Sequence, residues 1–237
     1  VALNGRDHLA PPGYRRLTEA LSLAPRLLNG FGHLGPRGPV DGPPALVIPG
    51  FVATDRTTLE LRRAFAEAGF RTHPWALGLN RGARVDTLER LERRLVEVAG
   101  DDGKVLVIGW SLGGLFAREL ARHRPDLVSA VVTLGSPFSG DLRANNVWRL
   151  YELVAGHKVD NPPLPRICDK PPVPALALWS RRDGIVAPAS ARGQPEESDE
   201  AVELGCNHMG FGVSRPATRD VVRQTLRFLG SRGLPTP

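Results

Sequence analysis

The sequence predicts an α/β protein: a mostly parallel, twisted sheet of about six strands with helices on both faces and a small cap inserted after the fifth strand. Three observations carry that expectation. Short apolar, often β-branched runs suited to burial on both faces recur along the chain, at Ala45–Ile48, Val105–Ile108, Ser129–Leu134 and Ala175–Trp179. Amphipathic helical patterns stand between them. That strand–helix alternation forces crossover connections, and crossovers give parallel strands with helices above and below. At 237 residues and 41% hydrophobic content, the chain can build one sizeable core.

Residues 1–44, rich in Gly and Pro, read as an N-terminal arm packed on the core. A short helical pattern at Leu17, Ala20, Leu21 and Leu27–Leu28 offers too little apolar surface to fold alone. The main domain runs from 45 to 237. Its first strand, Ala45–Ile48, leads into Pro49-Gly50-Phe51-Val52. Asp55, Thr57 and Thr58 carry oxygens suited to helix capping, ahead of a helix with Leu61, Ala64, Phe65 and Ala68 on one face that stops at Gly69. Arg71–Trp75 is a short strand and Ala76–Arg84 a loop. Val85, Leu88, Leu91, Leu95 and Val98 mark a second amphipathic helix, closed by Gly100.

The strand Val105–Ile108 passes through Gly109-Trp110-Ser111-Leu112-Gly113-Gly114 directly into a helix bearing Leu115, Phe116, Glu119 and Leu120. Ser129–Leu134 is the next strand. The alternation then breaks between Ser136 and Val173. That interval holds one helical pattern, Asn145–Leu153 with Val147, Trp148, Leu150 and Tyr151, and a Pro-rich return from Pro162 to Pro174. Residues 136–173 therefore read as a cap or lid over the C-terminal edge of the sheet, where such sheets bind ligands. Ala175–Trp179 and Ala201–Leu204 supply the last strands, with a solvated loop at Gly193–Glu200. A final helix carries Val221, Val222, Thr225, Leu226 and Leu229.

The formal charge of +6 comes almost wholly from arginines interleaved with glutamates, as at Glu89, Arg90, Glu92, Arg93, Arg94 and Glu97. That is a solvated mixed-charge face, and no module or basic stripe for nucleic acid accompanies it. No apolar run approaches the ~18–20 residues needed to cross a bilayer. The first residues carry no secretory pattern, so the expected location is cytoplasmic unless a leader has been removed. Cys168 and Cys206 fit no zinc spacing and read as free buried thiols in preference to a disulfide. No metal or organic cofactor is implied.

Three residues carry chemistry. Ser111 sits at the tip of a strand–turn–helix, where Gly109 and Gly113 lack the Cβ atoms that would collide across so sharp a bend. The helix that follows presents free N–H groups beside the hydroxyl. Asp183 stands a few residues past a strand end with Gly184 turning the chain behind it. Its rivals Asp141, Asp160, Asp169 and Asp199 lie in the cap or an acidic loop. His208 alone among the six histidines lies in the loop between the last strand and the final helix.

From Ala45 to Leu229 the chain resembles the α/β-hydrolase superfamily. Gly109–Gly114 is similar to the elbow of its lipase, esterase and biotin-pathway carboxylesterase branches, and Pro49-Gly50-Phe51 to the oxyanion loop of some lipases and esterases. The resemblance implies a triad of Ser111, Asp183 and His208, matching the chain order Ser…Asp…His, with the backbone N–H groups of Phe51 and Leu112 as oxyanion hole. It implies an esterase or lipase acting on a small-molecule or lipid-like carboxylic ester. Trp110, Phe138, Trp148, Tyr151 and Met209 are the candidate pocket residues, although aromatics such as Phe138, Trp148 and Tyr151 more often serve local packing than substrate contact. An acyltransferase or an acyl-carrier or thioester hydrolase would use the same triad. A catalytically silent binding protein on a hydrolase scaffold is the non-enzyme alternative, and the intact Ser, Asp and His argue against it.

Overall fold

A computed structural model describes residues 5–12, 14, 15, 19, 38, 39, 41–101, 103–141, 143, 145, 146, 148–156, 158, 163, 164 and 166–237. Six strands form one sheet: β1 (Pro44–Ile48), β2 (Arg71–Pro74), β3 (Val105–Trp110), β4 (Val128–Leu134), β5 (Ala175–Trp179) and β6 (Glu200–Glu203). All neighbours run parallel, in the order β2-β1-β3-β4-β5-β6. The chain steps outward from β1 to β2, then crosses back to β3 and proceeds in the other direction. The reversal opens a crevice between the C-terminal ends of β1 and β3, where open parallel sheets place their ligands.

Around the sheet lie α1 (Leu59–Glu67), α2 (Thr87–Ala99), α3 (Leu112–His123), α4 (Trp148–Ala155), α5 (Pro188–Arg192), α6 (Gly210–Val213) and α7 (Arg215–Ser231). The strands alternate their side chains between two helical layers. Ala45, Val47, Leu106 and Ile108 meet Leu61, Phe65, Val221 and Phe228 of α1 and α7. Leu46, Ile48, Val105 and Val107 meet Leu91, Leu95, Phe116 and Leu120 of α2 and α3. Each fully buried side chain of this size contributes about 1.5–3 kcal/mol, so both faces are held by real cores. None of the described helices is long and apolar enough to cross a membrane.

Several local expectations change. The 136–173 segment joins β4 to β5, so it leaves the sheet after the fourth strand, not the fifth. Its helix starts at Trp148 because Asn145 and Asn146 are engaged elsewhere: Asn145 bridges Val186, and the Asn146 backbone N–H donates to the Ile185 carbonyl at 2.8 Å. No side chain caps α1. The Thr57 and Thr58 hydroxyls donate back to the Thr54 and Asp55 carbonyls at 2.7 and 3.1 Å. Asp55 accepts instead from the backbone N–H groups of Trp75 and Ala76, at 3.0 and 3.2 Å, tying the exit of β2 to the loop after β1. Burial pushes that carboxyl above its ordinary range, against the pull of Arg62. Val85 precedes α2 and is 94% exposed, not part of its buried face. The short α5 lies ahead of the Gly193–Glu200 loop, where Glu197 and Ser198 are buried and not solvated, and the apolar pattern Leu17, Ala20, Leu21, Leu27 and Leu28 lies outside the described residues.

Candidate active site

β3 ends at Trp110 and α3 begins at Leu112, so a single residue, Ser111, turns the chain. Its backbone sits at φ 55°, ψ −121°, a conformation that costs about 1–3 kcal/mol in a residue with a side chain. The Ser111 N–H donates to the Leu134 carbonyl at 2.8 Å, which holds the turn to β4. The two flanking glycines are steric requirements. A Cβ on Gly109 would lie 2.2 Å from the Gly113 carbonyl oxygen, and one on Gly113 would lie 2.4 Å from that of Ile48. Leu112 opens the helix, so the helix itself offers its N–H no acceptor.

Across the crevice, the loop after β1 lies against the serine. A Cβ on Gly50 would stand 3.2 Å from Cβ of Ser111. Val52 is held at φ 52°, an outlying conformation for a β-branched residue. Asn80, buried beneath the loop, braces it. Its amide donates to the Pro49 carbonyl at 2.9 Å, its carbonyl accepts from Val52 at 2.7 Å, and its N–H donates to Ala53 at 2.9 Å. Among the described residues, the non-glycine positions with positive φ are Val52, Ala76 and Ser111. Backbone strain thus concentrates on both banks of the crevice, as it does at functional sites. Nothing in the spacing around Asn80 marked it out in the sequence.

Asp183 follows β5 and His208 follows β6, at the same sheet edge as Ser111. Their side chains are 1% and 3% exposed and meet at 2.7 Å, Oδ2 to Nδ1. The other carboxylate oxygen, Oδ1, accepts from the N–H groups of Ile185 and Val186, both at 2.8 Å. A carboxylate only accepts, so Nδ1 carries the proton and Nε2 is left as an acceptor. Burial, the largest influence on His208, pushes its pKa down. The charge and hydrogen bond of Asp183, with the charge of Glu19, outweigh that and leave it above the ordinary histidine value. The His208 carbonyl accepts from the Trp110 indole at 3.2 Å, fastening the histidine loop to the residue before Ser111.

The other expected site residues divide. Trp110 is buried and packed against Gly212, a post behind His208 more than a substrate wall. Phe138 is fully buried with the Arg118 guanidinium 4.2 Å above its ring, so it too serves packing. Tyr151 places its ring 5.2 Å from that of Phe51 and accepts from the Ala83 N–H at 3.4 Å. Trp148 is half-buried, 5.5 Å beneath the Arg143 guanidinium. Met209 is half-buried beside His208. Asp199 pairs with Lys170 at 2.8 Å and accepts from Ala175 at the start of β5, the opposite sheet edge. Cys168 and Cys206 are free, and burial chiefly drives the Cys206 thiol up to about 12.

Arginines root the 136–173 segment. Arg118 donates to the carbonyls of Cys168 and Asp169 at 2.7 and 2.8 Å, and burial chiefly lowers its pKa to about 10. Arg166 donates to those of Pro137, Ser139 and Gly140 at 3.2, 3.1 and 2.6 Å. No motif or spacing marks Glu19, which is 4% exposed and accepts from the N–H groups of Gly184, His208 and Met209.

A sequence model described as the alpha/beta hydrolase fold matches residues 62–161. No curated protein matches the chain. Among solved structures, a bacterial membrane phospholipase A is similar at 18% identity and a TM-score of 0.60, over 82% of this chain and 80% of that one. The naproxen esterase (carboxylesterase NP) of Bacillus subtilis is similar at 17% identity and a TM-score of 0.55, over 95% and 100%. The thioesterase domain from the curacin biosynthetic pathway is similar at 14% identity and a TM-score of 0.56, over 78% and 92%. The chain has the α/β-hydrolase fold, and lipases and esterases are among its structural neighbours.

Proposed function

We propose that the chain is a serine hydrolase that cleaves carboxylic esters through an acyl-enzyme. The observation that carries the proposal is the buried 2.7 Å contact between Asp183 and His208, at the sheet edge where Ser111 is held in a strained turn. Ser111 Oγ attacks the acyl carbon while Nε2 of His208 takes the hydroxyl proton. The N–H groups of Leu112 and Phe51 receive the oxyanion, each worth about 3–4 kcal/mol in the transition state. The imidazolium, stabilised by Asp183, then returns its proton to the leaving alkoxide as the ester C–O bond breaks. Water releases the acyl group by the same route in reverse.

Residues 136–173 act as a cap. Trp148 and Tyr151 lie three apart on α4 and so share a face, and Tyr151 rests on Phe51. An acyl chain running from Ser111 would lie under that face, beside Met209. The substrate is a small-molecule or lipid-like ester. Thioesters yield to the same attack, and a thioesterase domain is among the neighbours, so both classes belong in the test. Purified protein is given p-nitrophenyl esters from acetate to dodecanoate and an acyl thioester in parallel. The expected result is turnover of at least one ester, abolished by Ser111→Ala. No turnover of any ester, or turnover surviving in Ser111→Ala, contradicts the reading.

A further inference from the structure

We propose that Glu19, far away in the chain, is a positioning residue that clamps the aspartate loop and the histidine loop into register. The inference rests on the serine-hydrolase reading of the site. Oε1 of Glu19 accepts from the N–H groups of Gly184 and His208, at 2.8 and 2.9 Å, and Oε2 accepts from Met209 at 2.8 Å. These donors come from two loops that leave different strands. One belongs to the residue after Asp183, the others to His208 and its successor. A single buried carboxylate therefore fixes the backbone on both sides of the Asp183–His208 contact.

Chain packing is shaped around this approach. A Cβ on Gly184 would lie 2.9 Å from Oε1 of Glu19 and 2.9 Å from the Arg15 carbonyl, so glycine behind Asp183 admits the N-terminal segment. Arg15 itself donates to the Arg181 carbonyl on the same loop. From the other side, the Asn146 amide donates to the Gly184 carbonyl at 2.8 Å. The aspartate loop is thus gripped between the N-terminal segment and the 136–173 segment. Glutamate suits the clamp because an ionised carboxylate offers acceptors on both oxygens. Glutamine would turn an NH₂ toward one loop or the other.

Glu19 also adds negative charge near His208, beside Asp183, while the Cys206 thiol stays uncharged at its raised pKa of about 12. This gives the clamp a signature that packing alone lacks. The test compares wild type, Glu19→Gln and Glu19→Ala by kcat and KM on one ester, by the pH profile of kcat/KM, and by NMR titration of the His208 ring. Glu19→Ala should lose about 10–100-fold in kcat with little change in KM, the scale set by slight misplacement of a reacting group. Glu19→Gln should fold, and should move both the acid limb of the profile and the His208 titration to lower pH. Wild-type kcat and an unmoved His208 titration in Glu19→Gln would overturn the clamp. The NMR arm reads the clamp even if wild type hydrolyses no ester, an outcome that overturns the hydrolase reading instead.

Discussion

Replacing Asp183 with asparagine tests the assigned acid, because the surroundings dictate how the new side chain must sit. Oδ1 of Asp183 accepts two backbone N–H groups, from Ile185 and Val186. An asparagine that turned its NH₂ toward them would leave the buried Val186 donor unpaired, at about 1–3 kcal/mol, and the half-buried Ile185 donor with it. The carbonyl oxygen therefore keeps that side, and the NH₂ faces Nδ1 of His208, now 2.7 Å from Oδ2. Nδ1 must become an acceptor, the ring proton moves to Nε2, and the nitrogen meant to take the Ser111 proton can no longer do so. A mis-set tautomer of this kind costs on the order of 10⁴ in kcat, about 5.4 kcal/mol at 1.36 kcal/mol per decade.

The effect on stability has its own sign. His208 has a raised folded pKa, so its pairing with Asp183 stabilises fully below the unfolded value and is lost as pH rises through the folded one. Asp183→Asn should accordingly lower the melting temperature at acid pH and change it little at alkaline pH. The assay is kcat on a chromogenic ester at a pH where the imidazole is neutral, with a melting curve at each pH. Asp199→Asn, which breaks the Lys170 pair at the other sheet edge, should keep wild-type kcat. An Asp183→Asn enzyme within tenfold of wild type would refute the reasoning.

In wild type, kcat/KM should rise with pH through an apparent pKa above the ~6.5 of an unperturbed histidine, since His208 must be neutral to act as base; a limb below that value contradicts the assigned pairing. Trp148→Ala should raise KM for octanoate relative to acetate esters with a smaller change in kcat. An unchanged chain-length preference with a large fall in melting temperature would make Trp148 a packing residue. Tyr151→Ala removes the ring that rests on Phe51 and should lower kcat even on acetate esters; kcat held at the wild-type level would free the Phe51 loop from dependence on the 136–173 segment.

The sheet was legible because its strands are buried on both faces and read as near-continuous apolar runs. Val105–Ile108 and Ser129–Leu134 were placed within two residues of their observed limits. The strand–turn–helix around Ser111 was legible for a related reason, since its glycines answer to contacts inside one short segment and its closest neighbours. Long-range polar contacts left no such trace. Asp55 looks like a capping residue until the fold brings Trp75 and Ala76 to it. Glu19 meets His208 across 189 positions, and Asn80 reaches Pro49 across 31. No periodicity records such pairings. Phe138 shows the converse: an aromatic in the inserted segment reads as packing or as a substrate wall from the sequence alone, and the buried guanidinium over its face makes it packing.

The central claim, that Ser111 is a nucleophile activated by His208, is tested most directly by covalent labelling. The folded protein is incubated with a fluorophosphonate, and intact mass and peptide mapping locate the adduct. The account predicts one adduct per chain, on Ser111, with esterase activity falling in step, and labelling abolished in Ser111→Ala and strongly slowed in His208→Ala. An unlabelled Ser111 in an active protein, or an adduct on another serine that tracks the loss of activity, would contradict it.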